Sequence, residues 1–271
     1  MKKLTVTAIV FNESSRIKKW LDQSSQWADE ILVFDKGSTD GTVELARSFG
    51  ARVERIPFSQ VGHEDWVSLG QMIHTDWFTW STPAEMYTPN LVRVFKHVIS
   101  NDDGRTDTYA AMNKVYSFGG HNPKIEMGSH WVSKLFHVKR IIFQNKLHEY
   151  WVSQGNRKFI RDIDGKTHVL HLGQPNYKNF ITRTLAYTEM EVAHAESSLE
   201  RRAREAISRA NSLDFDFLSG GDGHDIRQVL AWKISNLLTA LACLDKLKES
   251  DTATRYETIR DEYLALWKRC D

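Results

Sequence analysis

The sequence predicts an α/β fold in which a mainly parallel sheet is flanked by helices and followed by a helical carboxyl-terminal region. Two observations carry this prediction. Short apolar, β-branched runs alternate with helical patterns between residues 4 and 57, and helical periodicity dominates beyond Pro175. We therefore expect an α/β domain over residues 1–178 and a helical region over residues 179–271.

The amino-terminal elements alternate as strand, helix, strand, helix, strand. LTVTAIVF (4–11) is a buried strand, and the helix after it has one buried face, formed by Ile17, Trp20, Leu21 and Ser24. ILVFD (31–35) is a second strand, and the turn GSTDGT offers Asp40 as the N-cap of the next helix, TVELARSFG. ARVERIP is a third strand. This alternation favours a parallel sheet covered on both faces.

The remainder of the chain is first irregular and then helical. Strand candidates are TYAAMNKVYSF (108–118), KLFHV (134–138) and THVLHL (167–172). Helices are expected over residues 179–197, 199–211, 225–248 and 252–269, with SGGDGHD (219–225) as a linker loop. Helical spacing predicts a buried face in the third helix, formed by Leu230, Ile234, Leu237, Leu238, Leu241 and Leu244. That face would pack on the α/β domain or on a sister subunit of a homo-oligomer.

Composition excludes several classes of protein. With 271 residues and 41% hydrophobic content, the chain can bury a large core. Its 36 basic and 35 acidic residues balance, and no basic-aromatic module is visible, so we expect no nucleic-acid partner. Cys243 and Cys270 lack metal-ligand spacing, and no apolar run suggests a membrane span or a secretory signal. These features favour a cytoplasmic protein.

Polar residues follow the first two predicted strands. Asn12 and Glu13 come after the first strand, and Asp35 and Lys36 come at the end of the second. In an open α/β sheet, ligands bind beyond the carboxyl ends of the strands, so these side chains should face a binding crevice. The glycine-rich signatures of dinucleotide and P-loop sites are absent from the sequence.

The segment TAIVFNESSRIKKWL, with ADEILVFDKGSTDGTVELARSFGARV after it, resembles the amino-terminal half of family 2 glycosyltransferases. These enzymes have the GT-A fold and use nucleotide-sugar donors. The resemblance implies that Asp35 contacts the base or ribose, and Lys36 departs from the second acid common in the family. The implied nucleotide-binding residues are Val10, Asn12, Glu13, Asp35, Lys36 and Ser38.

The carboxyl half is similar to the branch of this family that includes lipopolysaccharide-core sugar transferases, so that the resemblance spans residues 4–193. Its motifs match at Lys134, at His148 with Glu149, and at Leu170 with His171. The resemblance implies an inverting transfer in which Glu149 is the general base, and an acceptor that is a bacterial surface glycan or its lipid-linked precursor. The residues implied near the diphosphate or donor sugar are Thr82, Glu85, Lys134, His148 and His171.

The sequence STPAE (81–85) stands where the family carries Asp-x-Asp, whose carboxylates hold Mg²⁺ or Mn²⁺. Thr82 and Ala84 replace the two aspartates, and Glu85 is the remaining acid. We therefore expect no tightly bound metal at this segment, and we expect Lys36 and Lys134 to stabilise the diphosphate instead.

Two alternatives stay open. A metal site could be rebuilt from HED (63–65) with His148, His168 and His171, or the chain could be an inactive transferase-like protein that binds a sugar nucleotide or glycan. The intact Glu149 favours retained chemistry over the second alternative. The last predicted helix combines apolar and basic residues, which would allow peripheral contact with a membrane that bears a lipid-linked acceptor.

Overall fold

The computed structural model describes residues 2–59, 64–118, 120–121, 128–146, 149–173, 176–193, 199–211, 228–244 and 246. The chain forms two compact units, Met1–Pro175 and Asn176–Asp271. The boundary expected between residues 178 and 179 falls in the first turn of the first helix of the second unit. The linker at 219–225 and the helix at 252–269 lie outside the described residues.

The first unit alternates strands and helices. Its elements are β1 (Leu4–Val10), α1 (Ser14–Ser24), β2 (Glu30–Asp35), α2 (Thr42–Ser48), β3 (Arg52–Arg55), α3 (Trp66–Gln71), β4 (Trp77–Ser81), β5 (Glu85–Tyr87), α4 (Pro89–Ser100), β6 (Thr106–Ser117), β7 (Gly120–His121), β8 (Ser129–His137), a 3-10 turn (Val138–Arg140), β9 (Ile141–Lys146), β10 (Glu149–Ser153), β11 (Asn156–Ile160) and β12 (His168–Leu172). The second unit contains α5 (Tyr177–Ala193), α6 (Leu199–Asn211) and a helix over 228–244, here α7.

Ten strands form one mixed sheet, in the order β3-β2-β1-β4-β8-β6-β12-β5, with β7 and β11 also paired to β6. The first four strands in this order are mutually parallel, whereas β8 runs antiparallel to both of its neighbours. Strands β9 and β10 form a separate hairpin. This topology confirms the predicted α/β class, with parallel strands in the amino-terminal half and helices in the carboxyl-terminal region.

Each face of the sheet has its own core. Along β2, Leu32 and Phe34 pack in one core and Ile31 and Val33 in the other, as the alternation of side chains along a strand requires. Helices α1 and α4 cover the Val33 face, whereas α3 and the β9–β10 hairpin cover the Phe34 face. The predicted buried face of α1 is confirmed, because Ile17, Trp20, Leu21 and Ser24 are all buried.

Helix α4 is not among the elements expected from the sequence, although its start carries standard signals. The Thr88 hydroxyl accepts a hydrogen bond from the backbone N–H of Leu91, and Pro89 occupies the first helical turn. At a helix start the first backbone N–H groups have no partner within the helix. The Thr88 hydroxyl accepts one of these groups, and Pro89 has no N–H that would need a partner.

The sheet curls on itself. Only residues 82–84 separate β4 from β5 in the chain, yet β8, β6 and β12 lie between these two strands in the sheet. Because so short a connection spans little distance, the far edge of the sheet must return toward β4. The curl brings Glu85, at the start of β5, to the side chain of Lys134 on β8.

The face of α7 that the sequence predicts to be buried is exposed in the single chain, so its packing on a sister subunit stays a prediction. Leu230, Ile234, Leu237, Leu241 and Leu244 are exposed, and Leu238 is half-buried. The buried side chains of this helix are instead Val229, Ala231, Trp232, Ala240 and Cys243. Ala240 and Cys243 pack with Ala203 and Ala206 of α6, because small side chains let the helices approach closely. None of the described helices is long and apolar enough to span a bilayer.

Candidate active site

The loops after β1 and β2 are joined by hydrogen bonds at the carboxyl edge of the parallel strands. The backbone N–H of Asn12 donates to the hydroxyl of Ser38 at 2.9 Å, and the Asn12 side-chain oxygen accepts from the N–H of Thr39 at 2.8 Å. The N–H of Lys36 donates to the carbonyl of Val10 at 2.9 Å. Asn12 has a φ of 54°, a left-handed conformation that asparagine tolerates better than most residues. These two loops bring the predicted nucleotide-binding residues together.

The Asp35 carboxylate shapes the second loop. It is buried and accepts the backbone N–H groups of Gly37 and Ser38, each at 3.0 Å. The guanidinium of Arg55, at the end of β3, lies 3.3 Å away and is largely exposed. Gly37 has a φ of 101°, a backbone conformation that residues with a side chain rarely adopt, so the turn favours glycine. Asp35 therefore fixes the loop at the carboxyl edge of the parallel strands.

Glu13 and Asp40 complete the contact between the two loops. The Glu13 N–H donates to the Thr42 hydroxyl at 2.8 Å, and Asp40 accepts from the N–H of Ser14 at 3.0 Å. Asp40 also accepts from the Thr42 hydroxyl, which holds the pKa of the Asp40 carboxyl below its usual range. The N-cap position of α2 belongs to Gly41 rather than to Asp40, although the Asp40 side chain still accepts the Thr42 N–H.

The Lys36 ammonium is already paired. Its Nζ lies 2.5 Å from the Glu64 carboxylate and 2.9 Å from the carbonyl of Ser59, and both charged side chains are buried. Glu64 comes just before α3, whose N-cap Asp65 accepts from Ser68. Lys36 therefore ties the second loop to α3, and its charge is balanced within the protein.

The segment that replaces Asp-x-Asp forms a tight turn between β4 and β5. The N–H of Glu85 donates to the carbonyl of Thr82 at 2.9 Å, and the N–H of Leu172 donates to the carbonyl of Ala84 at 2.8 Å. The hydroxyl oxygen of Thr82 is buried and has no hydrogen-bond partner among the described residues. The turn offers a divalent ion one hydroxyl and one carboxylate, that of Glu85. Lys134 and His171 both contact its Oε1, and its Oε2 is buried with no hydrogen-bond partner among the described residues.

Glu85, Lys134 and His171 form one cluster, which we call the Glu85 cluster. Lys134 Nζ lies 2.6 Å from Glu85 Oε1, and His171 Nδ1 lies 3.2 Å from the same oxygen. Burial alone would raise the pKa of Glu85, but Lys134 and His171 outweigh this effect and lower it to about 2. Three of the residues predicted near the diphosphate or donor sugar are thus in contact.

A β-bulge in β8 directs the Lys134 side chain toward this cluster. In the pairing of β6 with β8, Tyr109 faces Leu135 and Ala110 faces Ser133, so Lys134 is the extra residue. A bulge redirects the side chain of its extra residue and is common beside functional sites.

Glu149 begins β10, opposite Lys146 at the end of β9, so it lies at the end of the hairpin where the two strands are connected. Its side chain is 60% exposed and pairs with Lys146 at 3.0 Å. The Asn145 side chain donates to Asp65 at 2.8 Å, which fixes this end of the hairpin beside the residue pair Glu64 and Lys36. His148 lies outside the described residues. The carboxylate of Glu149 is therefore accessible at this end of the hairpin.

The described members of the alternative metal site have separate partners. Asp65 caps α3, Glu64 pairs with Lys36, His168 lies 3.1 Å from Asp162, and His171 contacts Glu85. Within the described part of the chain, no three His, Cys, Asp or Glu side chains are grouped to hold a metal ion. His63 and His148 are outside that part.

Arg55 is not among the sequence predictions, and Glu64 is among them only as a ligand of the alternative metal site. Arg55 is the last residue of β3 and lies directly opposite Asp35 in the pairing of β2 with β3. Its position could have been predicted, because adjacent parallel strands end at the same edge of the sheet. Glu64 carried no such signal, since its pairing with Lys36 depends on how α3 packs.

The chain is similar in sequence to bacterial proteins named as glycosyltransferases. One of Rickettsia prowazekii is 26% identical over 175 residues, which are 63% of this chain and 59% of the relative. Another, of Rickettsia bellii, is 25% identical over 178 residues, which are 65% of this chain and 59% of the relative. The chain thus spans about three fifths of the length of these relatives. No protein-family model matches it. The similarity supports a glycosyltransferase enzyme.

Glucosyl-3-phosphoglycerate synthase of Mycobacterium tuberculosis, in complex with Mn²⁺, UDP and glucosyl-3-phosphoglycerate, matches with a TM-score of 0.33 and 22% identity, over 43% of this chain and 44% of the synthase. Its complex with Mn²⁺, UDP-glucose and phosphoglyceric acid gives a TM-score of 0.33 and 23% identity, over 44% and 45%. These matches cover less than half of either chain, and the fold class follows from the sheet topology itself.

Proposed function

We propose that this chain is an inverting glycosyltransferase of family 2, of the lipopolysaccharide-core branch and with the GT-A fold. It moves a sugar from a nucleotide-sugar donor to a hydroxyl of a bacterial surface glycan or its lipid-linked precursor. The observation that carries the proposal is the joining of the loops after β1 and β2, with Asp35 and Asn12 at the carboxyl edge of parallel strands. The similarity to named glycosyltransferases supports the same activity.

Donor binding is assigned to these two loops. The Asp35 carboxylate holds the N–H groups of Gly37 and Ser38 in place, so the loop is ordered before a ligand arrives. Preorganisation of this kind lowers the entropic cost of binding. The base or ribose of the donor would lie against Asp35 and Arg55.

The chemical step is assigned to Glu149. The carboxylate takes the proton of the acceptor hydroxyl while that oxygen attacks the anomeric carbon, and the bond between this carbon and the diphosphate oxygen breaks on the opposite face. The exposure of Glu149 at the end of the hairpin supports this role. Its ion pair with Lys146 is exposed at both ends, and such pairs contribute little stability, so the carboxylate is free to exchange partners.

Transfer should depend weakly or not at all on a divalent metal. Mg²⁺ or Mn²⁺, when bound in this family, neutralises the leaving diphosphate. Here Thr82 and Ala84 supply no carboxylate, and Glu85 is paired with Lys134. One carboxylate whose charge Lys134 already balances is a poor set of ligands for a divalent ion, even though its Oε2 has no hydrogen-bond partner among the described residues.

A cytoplasmic location beside the inner membrane would give the enzyme access to a lipid-linked acceptor. Self-association through the helical unit is a separate prediction. Both follow from the sequence and the proposed acceptor class.

The proposal predicts sugar transfer that survives EDTA. The assay would mix the protein with nucleotide sugars bearing each of the common bases and with a lipopolysaccharide-core extract, in EDTA or in Mn²⁺, and would follow sugar incorporation by mass spectrometry. We expect similar rates in both conditions. A rate that requires Mn²⁺ would contradict the proposed independence from a divalent metal. Nucleotide binding without sugar transfer would instead support the alternative of an inactive, transferase-like binding protein.

A further inference from the structure

The first unit contains a pocket with basic walls that the proposed function does not use. Its volume is about 340 Å³, and its charged lining residues are Arg105, Lys139 and Arg140. Arg105 lies just before β6, whereas Lys139 and Arg140 lie in the 3-10 turn that joins β8 to β9. The volume is within the range of small-molecule binding sites.

The pocket lies at the edge of the sheet opposite the predicted nucleotide site. His137, two residues before Lys139, pairs with Trp77 at the start of β4, and Trp77 pairs with Leu4 at the start of β1. The predicted nucleotide-binding residues lie instead at the carboxyl ends of β1 and β2. The pocket is therefore separate from the candidate active site.

Backbone hydrogen bonds hold the walls of the pocket together. The N–H of Gln154 donates to the carbonyl of Arg140 at 3.2 Å, and the N–H of Asn156 donates to the carbonyl of Arg105 at 3.1 Å. A Cβ at Gly155 would lie 2.5 Å from the carbonyl oxygen of Arg105, so a residue with a side chain would push the two segments apart. Gln154 and Asn156 also line the pocket, which is thus fixed by main-chain contacts.

Arg140 is held rigidly in the wall. Its guanidinium makes two contacts of 2.7 Å with the Asp102 carboxylate and a third of 2.7 Å with the carbonyl of Thr106. The ammonium of Lys2 lies 2.6 Å from the same carboxylate. Two cations thus share one acid, so this wall keeps a positive charge.

Arg105 and Lys139 are exposed, and neither has an acidic partner among the described residues. The nearby acids are occupied. Asp103 pairs with Lys158 at 2.7 Å, and Asp107 is buried, where it accepts a hydroxyl group and a backbone N–H. Two cations at the pocket are therefore available to an anionic ligand.

The charges around the pocket have an excess of two positive. We count the basic lining residues, the acids that contact the lining, and the basic partners of those acids. Five basic side chains then stand against three acidic ones: Arg105, Lys139, Arg140, Lys2 and Lys158 against Asp102, Asp103 and Asp107. A phosphate monoester carries about −1.5 to −2 charges at neutral pH and has three acceptor oxygens, so it matches this excess better than a single carboxylate does.

We propose that this pocket binds a phosphate monoester. Arg105 and Lys139 donate charge-assisted hydrogen bonds to the phosphate oxygens, and Arg140 adds its fixed positive charge. The pocket is larger than a phosphate group requires, so the organic part of the ligand lies against Gln154 and Asn156. A soluble sugar phosphate and a lipid headgroup both carry this chemistry.

The test measures binding of glucose 6-phosphate by calorimetry and ligand-observed NMR, with glucose as the uncharged comparison. Vesicles of phosphatidylcholine, with and without phosphatidic acid, test in a sedimentation assay whether the phosphate belongs to a lipid. We expect Arg105→Ala with Lys139→Ala to bind the phosphate at least about tenfold more weakly than wild type, because it removes hydrogen bonds to a charged group. Both residues are exposed, so the substitutions should not affect folding.

Lys19→Ala with Arg47→Ala is the matched control. It removes the same two types of charge from exposed positions on α1 and α2, away from the pocket, and should bind the phosphate as wild type does.

A loss confined to the pocket variant would support the site, with glucose 6-phosphate indicating a soluble ligand and vesicles alone indicating a lipid. Equal affinity in wild type and the pocket variant, an equal loss in the control, or binding of neither phosphate by wild type would overturn it. None of these results depends on sugar transfer, so a failure here would leave the proposed function unaffected.

Discussion

Replacing Glu149 by Gln is expected to lower sugar transfer about a hundredfold or more while donor binding is unchanged. The amide is close in shape to the carboxylate but cannot take the proton of the acceptor hydroxyl. Since Glu149 lies on the exposed end of the β9–β10 hairpin, the substitution should not affect folding. Initial rates at saturating donor, with donor affinity measured separately, would separate the chemical step from binding.

Glu44→Gln is the control for this experiment, because Glu44 is an exposed acid in the first turn of α2, outside the hairpin. It should retain wild-type turnover. Unchanged turnover in Glu149→Gln would remove Glu149 from the role of general base.

Replacing Lys134 by Met is expected to destabilise the protein by about 3–5 kcal/mol, because it leaves the Glu85 carboxylate buried without its charged partner. For a unit the size of Met1–Pro175, a loss of this size lowers the melting temperature on the order of 10 °C. Thermal and denaturant unfolding would measure it. The exposed pair between Lys18 and Asp22 is the control, and Lys18→Met should cost less than about 1 kcal/mol.

The effect of Lys134→Met should depend on pH in a defined direction. The pKa of Glu85 is lowered from 4.5 to about 2, so the stability from its ionised form is present above about pH 4.5 and is lost as the pH falls toward 2. The stability difference between wild type and variant should therefore shrink in acid. A variant as stable as wild type at neutral pH would contradict the ion pair.

The sequence was sufficient for local features. Strands β1 and β2 are largely apolar and almost wholly buried, and their alternation with helices predicted a parallel sheet. The loops that follow them are joined by hydrogen bonds of Asn12 with Ser38 and Thr39, and strand ends that share one edge made this meeting predictable.

The ion pairs of the lysines were not predictable, because they depend on long-range packing. Lys134 meets Glu85 only because the sheet curls and β8 carries a bulge, and Lys36 meets Glu64 only because α3 packs beside the second loop. A sequence pattern shows a lysine near a motif but not whether another residue already balances its charge.

Helix α7 shows a different limit. It carries two helically spaced apolar stripes, one of leucine and isoleucine and one that includes Trp232, Ala240 and Cys243. Periodicity favoured the larger aliphatic side chains, whereas within the single chain Ala240 and Cys243 pack with Ala203 and Ala206 of α6. The aliphatic stripe is exposed there, and its packing on a sister subunit stays a prediction. Size complementarity between helices is invisible in the pattern of one helix.

The central claim, a nucleotide-sugar site that works without a divalent metal, is tested most directly by a thermal-shift screen. UDP, GDP, CMP and dTDP would each be added to wild type and to Asp35→Ala, once in EDTA and once in Mn²⁺. Asp35→Ala should show no stabilisation by a nucleotide, because the N–H groups of Gly37 and Ser38 lose their carboxylate acceptor. We predict that one nucleotide raises the wild-type melting temperature equally in both conditions, by about 5–10 °C at a hundredfold excess over its dissociation constant. Stabilisation that requires Mn²⁺, or none from any nucleotide, would contradict the account.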